Sequence, residues 1–168
     1  RLLFLAKSES GALKLALRPG AMPRLLAPFA EDAQVLAADR GVEFALGPDE
    51  PGEVRADPEL LRQMLLNLVA NAVSVSPRGG RVTLASSPSP AGWRLVVADE
   101  GPGLAPPQLA RLFERFMRFG DPADSAVRQG HGLGLAICKS IAELHGGSIR
   151  AENRADRSGL RIIVELPR

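Results

Sequence analysis

Two asparagines stand four residues apart in an otherwise apolar stretch, LRQMLLNLVANAV, where their type and spacing could serve polar chemistry. Asn67 and Asn71 lie on one face of a predicted helix, in a row with Leu60, Met64 and Ser74. Asn is a poor helix former and a buried carboxamide needs hydrogen-bond partners, so the pair is costly unless a polar group meets it. The alternative is that both side chains face solvent at the rim of the helix.

An acidic residue followed by two glycines ends an apolar strand. WRLVVAD runs from Trp93 to Asp99, and the turn DEGPG brings Gly101 and Gly103 next to it. Glycines beside a carboxylate let a ligand approach the backbone closely. A plain β-turn with Asp at its first position explains the same residues.

A third candidate site is the glycine-rich run GHGLGL, which opens a predicted helix. A helix N-terminus with free N–H groups and a favourable dipole binds anions. The run is not a dinucleotide-binding fingerprint, because its third glycine comes one residue early and a polar loop, not a strand, precedes it. No Gly precedes the KS pair of AICKS, which excludes a Walker A loop.

Periodicity and turn residues predict the elements that would position these sites. Helices are expected over residues 1–10, 23–39, 58–74 with Asp57 as N-cap, a short stretch near Pro107, and 133–145. Strands are expected over LKLAL, over residues 42–46 with 53–56 pairing back on them, over 81–87 and 93–99 as a hairpin, and over SIRAEN and LRIIVEL. Residues 120–130 are polar and aperiodic, which predicts a mobile loop.

Helices and strands segregate along the chain and do not alternate strictly. This favours an α+β fold, a two-layer sandwich of a mixed, mostly antiparallel sheet with helices on one face. A doubly wound parallel fold is disfavoured by the same order of elements.

Composition excludes several classes of protein. The 168 residues suffice for one ordinary domain, and 21 basic against 19 acidic residues give a net charge of +2, which is no broad footprint for nucleic acid. The single cysteine, Cys138, excludes an intramolecular disulfide and fits a reducing cytosol. No apolar run approaches the roughly 18–20 residues of a membrane-spanning helix, so we expect a soluble domain.

Four motifs in a fixed order carry a resemblance to a known family. LRQMLLNLVANAV, DEGPG, LFERFMRF and GHGLGLAICKSIAELHGG resemble the N, G1, F and G2 boxes of the catalytic ATP-binding domain of sensor histidine kinases. That domain has the Bergerat fold, which gyrase, a heat-shock chaperone and mismatch-repair ATPases share. The resemblance implies a catalytic domain over residues 16–168, preceded in residues 1–15 by the end of a helix from a dimerisation and phosphotransfer domain.

The resemblance implies ATP and Mg²⁺ as cofactors and assigns roles to the N and G1 boxes. Asn71 matches the asparagine that coordinates Mg²⁺, and Asn67 lines up with the other N-box position near the phosphates. Both are the expected catalytic residues. Asp99 matches the carboxylate that accepts a hydrogen bond from the adenine amino group, and Gly101 and Gly103 match the glycines that give the base room.

The F and G2 boxes are implied to form the ATP lid and the phosphate cradle. Phe113 and Phe116 match the hinge of the lid. The cradle is implied to consist of Gly130, His131, Gly132, Leu133 and Gly134, with His131 where Thr or Ser is common in the family.

Three arginines could meet phosphate, and two positions depart from the family. Arg115, Arg118 and Arg128 flank or lie in the expected lid, although each could equally be a solvated surface residue. Ser74 and Val75 stand where many members have Lys and an aromatic residue, which puts one phosphate contact and one base-packing surface in question.

The resemblance implies transfer of the γ-phosphoryl group of Mg-ATP to a histidine on the preceding domain, with a response regulator as a further partner. Neither His131 nor His145 is followed by the acidic residue typical of the acceptor. The fragment is expected to be monomeric and cytoplasmic, without contact to nucleic acid or membrane, and its parent dimeric and anchored in the inner membrane.

Two other functions compete with the kinase. A nucleotide-binding regulatory module that has lost catalysis would explain Ser74 and Val75. An ATP hydrolase of the same fold would use a Glu general base where this chain has Asn67, and an amide cannot take a proton from water.

Overall fold

The computed structural model of the protein describes residues 1–118 and 132–168. Within those ranges the helices are α1 (Leu2–Glu9), α2 (Met22–Asp39), α3 (Pro58–Val75), α4 (Pro106–Arg111) and α5 (Gly134–Leu144). The strands are β1 (Arg18–Ala21), β2 (Glu43–Asp49), β3 (Glu53–Ala56), β4 (Arg81–Ser89), β5 (Gly92–Ala98), β6 (Ser148–Asn153) and β7 (Leu160–Leu166). None of the helices in these ranges is long and apolar enough to cross a bilayer. The loop predicted over residues 120–130 lies outside the described residues.

Five strands form one mixed sheet in the order β2-β4-β5-β7-β6. β2 runs parallel to β4, and the other neighbouring pairs are antiparallel. The predicted hairpin is confirmed, since β4 and β5 pair from Thr83↔Ala98 to Ser89↔Gly92. The predicted mostly antiparallel α+β fold is confirmed as well.

The helices cover one face of this sheet. In β4, Val82 and Leu84 are buried in the core with the helices, whereas the alternate residues Arg81 and Thr83 are exposed or half-buried on the opposite face. α3 packs against both α2 and α5. Its buried residues are Leu61, Met64, Leu65, Leu68, Val69, Ala72 and Val73.

Two strand predictions were wrong. LKLAL is not a strand: β1 begins at Arg18, and the N–H of Ala16 donates to Asp57 Oδ2 at 3.0 Å instead of joining a ladder. β3 pairs with β1 in a separate two-stranded sheet and not with β2. The place beside β2 is taken by β4, because α3 provides the long crossover that a parallel pair requires.

The N-terminus of α3 is held by a buried group of hydrogen bonds. Asp57 caps the helix as predicted, with Oδ1 accepting from the N–H groups of Glu59 and Leu60 at 3.1 Å each. Its own N–H donates to Nε2 of His145, just past the end of α5, at 3.0 Å. Nδ1 of His145 lies 2.8 Å from the carbonyl of Ile141, and because a carbonyl only accepts, that nitrogen carries the proton. His145 therefore joins the end of α5 to the start of α3 as a neutral ring.

We expect His145→Phe to destabilise the domain by about 1–3 kcal/mol, because the buried N–H of Asp57 would lose its acceptor. His145→Gln, whose carboxamide offers both a donor and an acceptor, should cost less. Urea unfolding of the two variants and the wild type measures the difference. A loss of stability in His145→Phe no larger than that in His145→Gln would show that the hydrogen bond from Asp57 to His145 does not stabilise the fold.

Candidate functional site

The predicted row of polar residues on α3 lies at the border between core and solvent. Asn67, Asn71 and Ser74 are half-buried, whereas Met64 in the same row is fully buried. The hydroxyl of Ser74 donates to the carbonyl of Asn71 at 2.7 Å, so this short side chain bonds back to its own helix. The two carboxamides thus stand where a polar ligand could reach them from solvent.

The start of α5 lies beside Asn67. A Cβ added at Gly134, the first residue of α5, would stand 3.9 Å from Cγ of Asn67. Leu133, the N-cap residue, is buried and anchors this turn in the core. The first N–H groups of a helix have no partner within it, a property that favours anions, and the N-terminus of α5 lies close to the Asn67 carboxamide.

Gly132, just before α5, is hydrogen-bonded to the phenylalanine-containing segment that follows α4, residues 112–118. The N–H of Phe116 donates to the carbonyl of Gly132 at 2.7 Å. Gly132 has a φ of 69°, and a Cβ there would lie 2.7 Å from backbone atoms of Phe116. Phe116 itself has a φ of 62°, a left-handed backbone that is rare for a bulky residue. The segment is therefore held in a conformation that only glycine at position 132 permits.

The other predicted residues of this segment differ in their surroundings. Phe113 packs against the core, whereas the Phe116 side chain is 60% exposed. Arg115 forms an ion pair with Glu9 at the end of α1. Arg118 is exposed. Arg128, Gly130 and His131 lie outside the described residues.

Near the C-terminal end of α3, Asp99 is buried directly after β5, with 3% of its surface exposed. Its Oδ1 accepts from the N–H groups of Gly101 at 2.9 Å and Leu160 at 3.0 Å, and neither bond uses Oδ2. Burial raises the pKa of the Asp99 carboxyl, while the two N–H donors and the charge of Arg154 act in the other direction. The site thus contains a buried carboxyl group whose cost of burial is only partly offset by its hydrogen bonds and by the nearby positive charge.

Residues 99–103, here called the acidic turn, contain two glycines that lie too close to neighbouring chain segments to carry a side chain. A Cβ at Gly101 would lie 2.8 Å from the carbonyl oxygen of Val75, at the end of α3. Gly103 has a φ of 72°, and a Cβ there would lie 2.7 Å from Oδ1 of Asn153, which accepts from the N–H of Leu104 at 2.9 Å. Both glycines therefore let the turn pack closely against α3 and the end of β6.

α3 connects the two halves of the site. Ser76, its C-cap, donates through Oγ to the carbonyl of Ala72 at 2.9 Å and accepts from the N–H of Glu100 at 3.4 Å. At 1.5 Å per residue, the eight steps along α3 from Asn67 to Val75 correspond to a rise of about 12 Å. An extended ligand with an amino-bearing ring at one end and anionic groups at the other matches this arrangement.

Comparison with known proteins identifies the family. Residues 56–168 match the family model described as histidine kinase-, DNA gyrase B-, and HSP90-like ATPase. The chain belongs to this ATPase family. The matched range begins just before α3 and contains every residue of the site described above.

Relatives and solved structures of this ATPase family agree with the assignment. The sensor protein IrlS of Burkholderia pseudomallei is 39% identical over 154 residues, which cover 88% of this chain and 31% of IrlS. The crystal structure of full-length ShkA in complex with AMPPNP has a TM-score of 0.82 and 34% identity, covering 99% of this chain and 34% of ShkA. The mycobacterial sensor histidine kinase MprB has a TM-score of 0.77 and 32% identity, covering 89% of this chain and 97% of that one. The predicted resemblance to sensor histidine kinases is confirmed, and the chain spans about a third of the length of a relative such as IrlS.

Sequence reasoning missed the residues that hold Asp99 from the side away from α3. Arg154 and Leu160 contact Asp99 across 55 and 61 residues of chain. Arg154 lies in a turn whose composition is that of any polar hairpin loop, and no spacing relates it to Asp99. Only the pairing of β5 with β7 brings the two together.

Asp99→Asn keeps the side-chain shape and removes the buried charge. Because folding raises the pKa of Asp99 above its usual 3.8, the folded state binds this proton more tightly, and stability falls as pH rises through the folded-state pKa. We expect the variant to be at least as stable as the wild type at pH 7, with this advantage vanishing in acid.

Urea unfolding between about pH 3 and pH 7 measures the effect of Asp99→Asn. Asp39→Asn is the matched control, since Asp39 is exposed at the end of α2. A variant clearly less stable than the wild type at neutral pH would contradict the expectation.

Proposed function

We propose that the chain binds ATP along the half-buried polar row of α3, with the adenine at Asp99 and the phosphates at Asn67, Asn71 and the start of α5. The observation that carries this proposal is the placement of a buried carboxyl at the C-terminal end of α3 and of Asn67, midway along the helix, beside Gly134. ShkA, solved with AMPPNP, has the same fold over 99% of this chain.

The base end suits adenine. Adenine carries an exocyclic amino donor where guanine carries a carbonyl acceptor, so a carboxylate acceptor prefers adenine. Val75 lies against Gly101 and is 37% exposed, so it offers an apolar surface to the base where many relatives have an aromatic residue. Valine at this position is compatible with base binding.

The phosphate end suits an anion with a hard cation. Mg²⁺ prefers oxygen ligands and binds through few protein groups plus substrate phosphates, and the half-buried carboxamide of Asn71 offers one such oxygen. Bound there, Mg²⁺ would neutralise developing charge on the phosphates. Gly132, Leu133 and Gly134 would contribute backbone N–H groups, with Gly130 and His131 completing the cradle and Arg118 and Arg128 adding charge.

In the parent protein, we propose, the domain transfers the γ-phosphoryl group to a histidine on a preceding dimerisation domain. An imidazole nitrogen forms a bond to the γ-phosphorus, the bond from phosphorus to the bridging oxygen breaks, ADP leaves, and the imidazole proton is released to solvent. His145 is unsuited as acceptor, because it is buried and both its ring nitrogens are hydrogen-bonded. A response regulator would then receive the phosphoryl group.

We expect Asp99→Asn to weaken binding of AMPPNP by about ten- to a hundredfold, since a hydrogen bond to a charged group contributes about 1.5–3 kcal/mol. Calorimetric titration of the chain with AMPPNP and Mg²⁺ measures this, with Asp39→Asn as control. Unchanged AMPPNP affinity in Asp99→Asn would show that the base does not bind at this end of α3.

Asn71→Ala should abolish phosphoryl transfer more than it weakens nucleotide binding, because the loss of a metal ligand costs several kcal/mol of charge stabilisation in the transition state. The measurement is acid-labile phosphate on the parent protein, dimerisation domain included, after incubation with Mg-ATP. Gln34→Ala, an exposed carboxamide on α2, is the control. Binding without any transfer by the wild type would instead establish a regulatory module.

A further inference from the structure

The turn between β6 and β7 encloses the acidic turn from the side opposite α3. Ser158 donates through Oγ to the carbonyl of Gly101 at 2.7 Å. Gly159 has a φ of 138°, and a Cβ there would lie 2.0 Å from the carbonyl oxygen of Asp99. The carbonyl of the next residue, Leu160, accepts from the N–H of Asp99, and the N–H of Leu160 donates to Oδ1 of the Asp99 side chain, at 3.0 Å each. Asp99 is thus fixed between α3 and this turn.

Arg154 is the charged member of this enclosure. Its Nη1 donates to the backbone carbonyl of Asp99 at 3.1 Å, and its own N–H donates to Gly159 at 2.9 Å. Nε and Nη2 donate to the two carboxylate oxygens of Asp156 at 3.0 and 2.9 Å. With all these donors engaged, the Arg154 side chain is only 15% exposed.

The charge of Arg154 bears directly on Asp99. Burial favours the protonated carboxyl, and the positive guanidinium opposes this by lowering the pKa of Asp99. The other charged groups at this turn are Glu100, next to Asp99 in the chain, with Asp156 and Arg157, which pair with Arg154 and Glu100. On the α3 side the neighbours are Val75 and Ser76, which do not titrate in this range.

We propose that Arg154 is a positioning residue for the nucleotide base, which holds the Asp99 turn by its backbone carbonyl and keeps the Asp99 carboxylate charged as a hydrogen-bond acceptor. This inference rests on the proposed binding of adenine at Asp99. Arg154 thereby extends to lower pH the range in which the site prefers adenine.

Arg157 provides a matched control on the same turn. It carries the same charge as Arg154, but it is 58% exposed and pairs with Glu100 at 3.7 Å and Asp156 at 3.3 Å. Loss of its charge removes an equal amount of net charge without removing a contact to Asp99. Arg154→Lys, which keeps the charge, separates the charge of Arg154 from its guanidinium shape.

The experiment has two readouts. Carbon NMR titration of the Asp99 carboxyl in the nucleotide-free protein gives its midpoint directly, and calorimetry with AMPPNP across pH gives the point at which affinity falls. In Arg154→Gln we expect both to move up by about one pH unit, so that affinity below the wild-type midpoint drops about tenfold. In Arg154→Lys, which keeps the charge, both readouts should stay close to their wild-type values. Arg157→Gln should leave both readouts unchanged.

An unmoved Asp99 midpoint in Arg154→Gln, or an equal shift in Arg157→Gln, would overturn the role of Arg154. If the wild type fails to bind AMPPNP, the proposed function is lost, while the NMR titration still decides whether Arg154 controls the Asp99 charge. If Arg154→Gln does not fold, Arg154→Met, which removes the charge and keeps a side chain of similar reach, takes its place: an Asp99 midpoint raised in Arg154→Met but near the wild-type value in Arg154→Lys supports the proposal, and an unmoved midpoint in Arg154→Met opposes it.

Discussion

The position of α3 is the constraint on which the remaining structure depends, and Asp57 fixes it. Through its side chain and its N–H, Asp57 holds the first turn of α3, the segment leading into β1 and the end of α5. Asp57 and its bond to His145 are buried, so the loss of that bond leaves an unsatisfied polar atom. The helix therefore has one position relative to α5, and Asn67 has one position relative to Gly134.

The acidic turn shows a conflict between burial and charge. A carboxylate that selects a ligand by accepting a hydrogen bond must be shielded from water to be selective, yet shielding favours its neutral form. The chain offsets this with two backbone N–H donors on Oδ1 and with the nearby guanidinium of Arg154. The site is thus specialised at some cost to the free energy of folding, which is common where function requires a buried charge.

Local signals predicted much of this architecture. The amphipathic pattern of α2, the Asp57-Pro58 start of α3 and the alternation in β4 and β5 are properties of short segments, and each predicted element formed. The pairing of β1 with β3 and the contacts of Arg154 are of another kind, because they depend on which distant segments the packed core brings together. Asn67 and Asn71 could be singled out since polar residues in an apolar helix are costly, and Asp99 since it ends an apolar strand beside two glycines, whereas nothing local distinguishes Arg154 from any loop arginine.

The central place of β7 has a consequence for how the domain is made. β7 lies between β5 and β6, although it is the last strand of the chain, and its first residue, Leu160, supplies backbone bonds to Asp99. During synthesis from the ribosome, β4, β5 and the helices emerge well before their partner strand. Such non-local pairing slows folding and leaves the edge of β5 open to solvent until the end. Because Leu160 of β7 supplies these bonds, the acidic turn can acquire its described shape only after β7 has been synthesised.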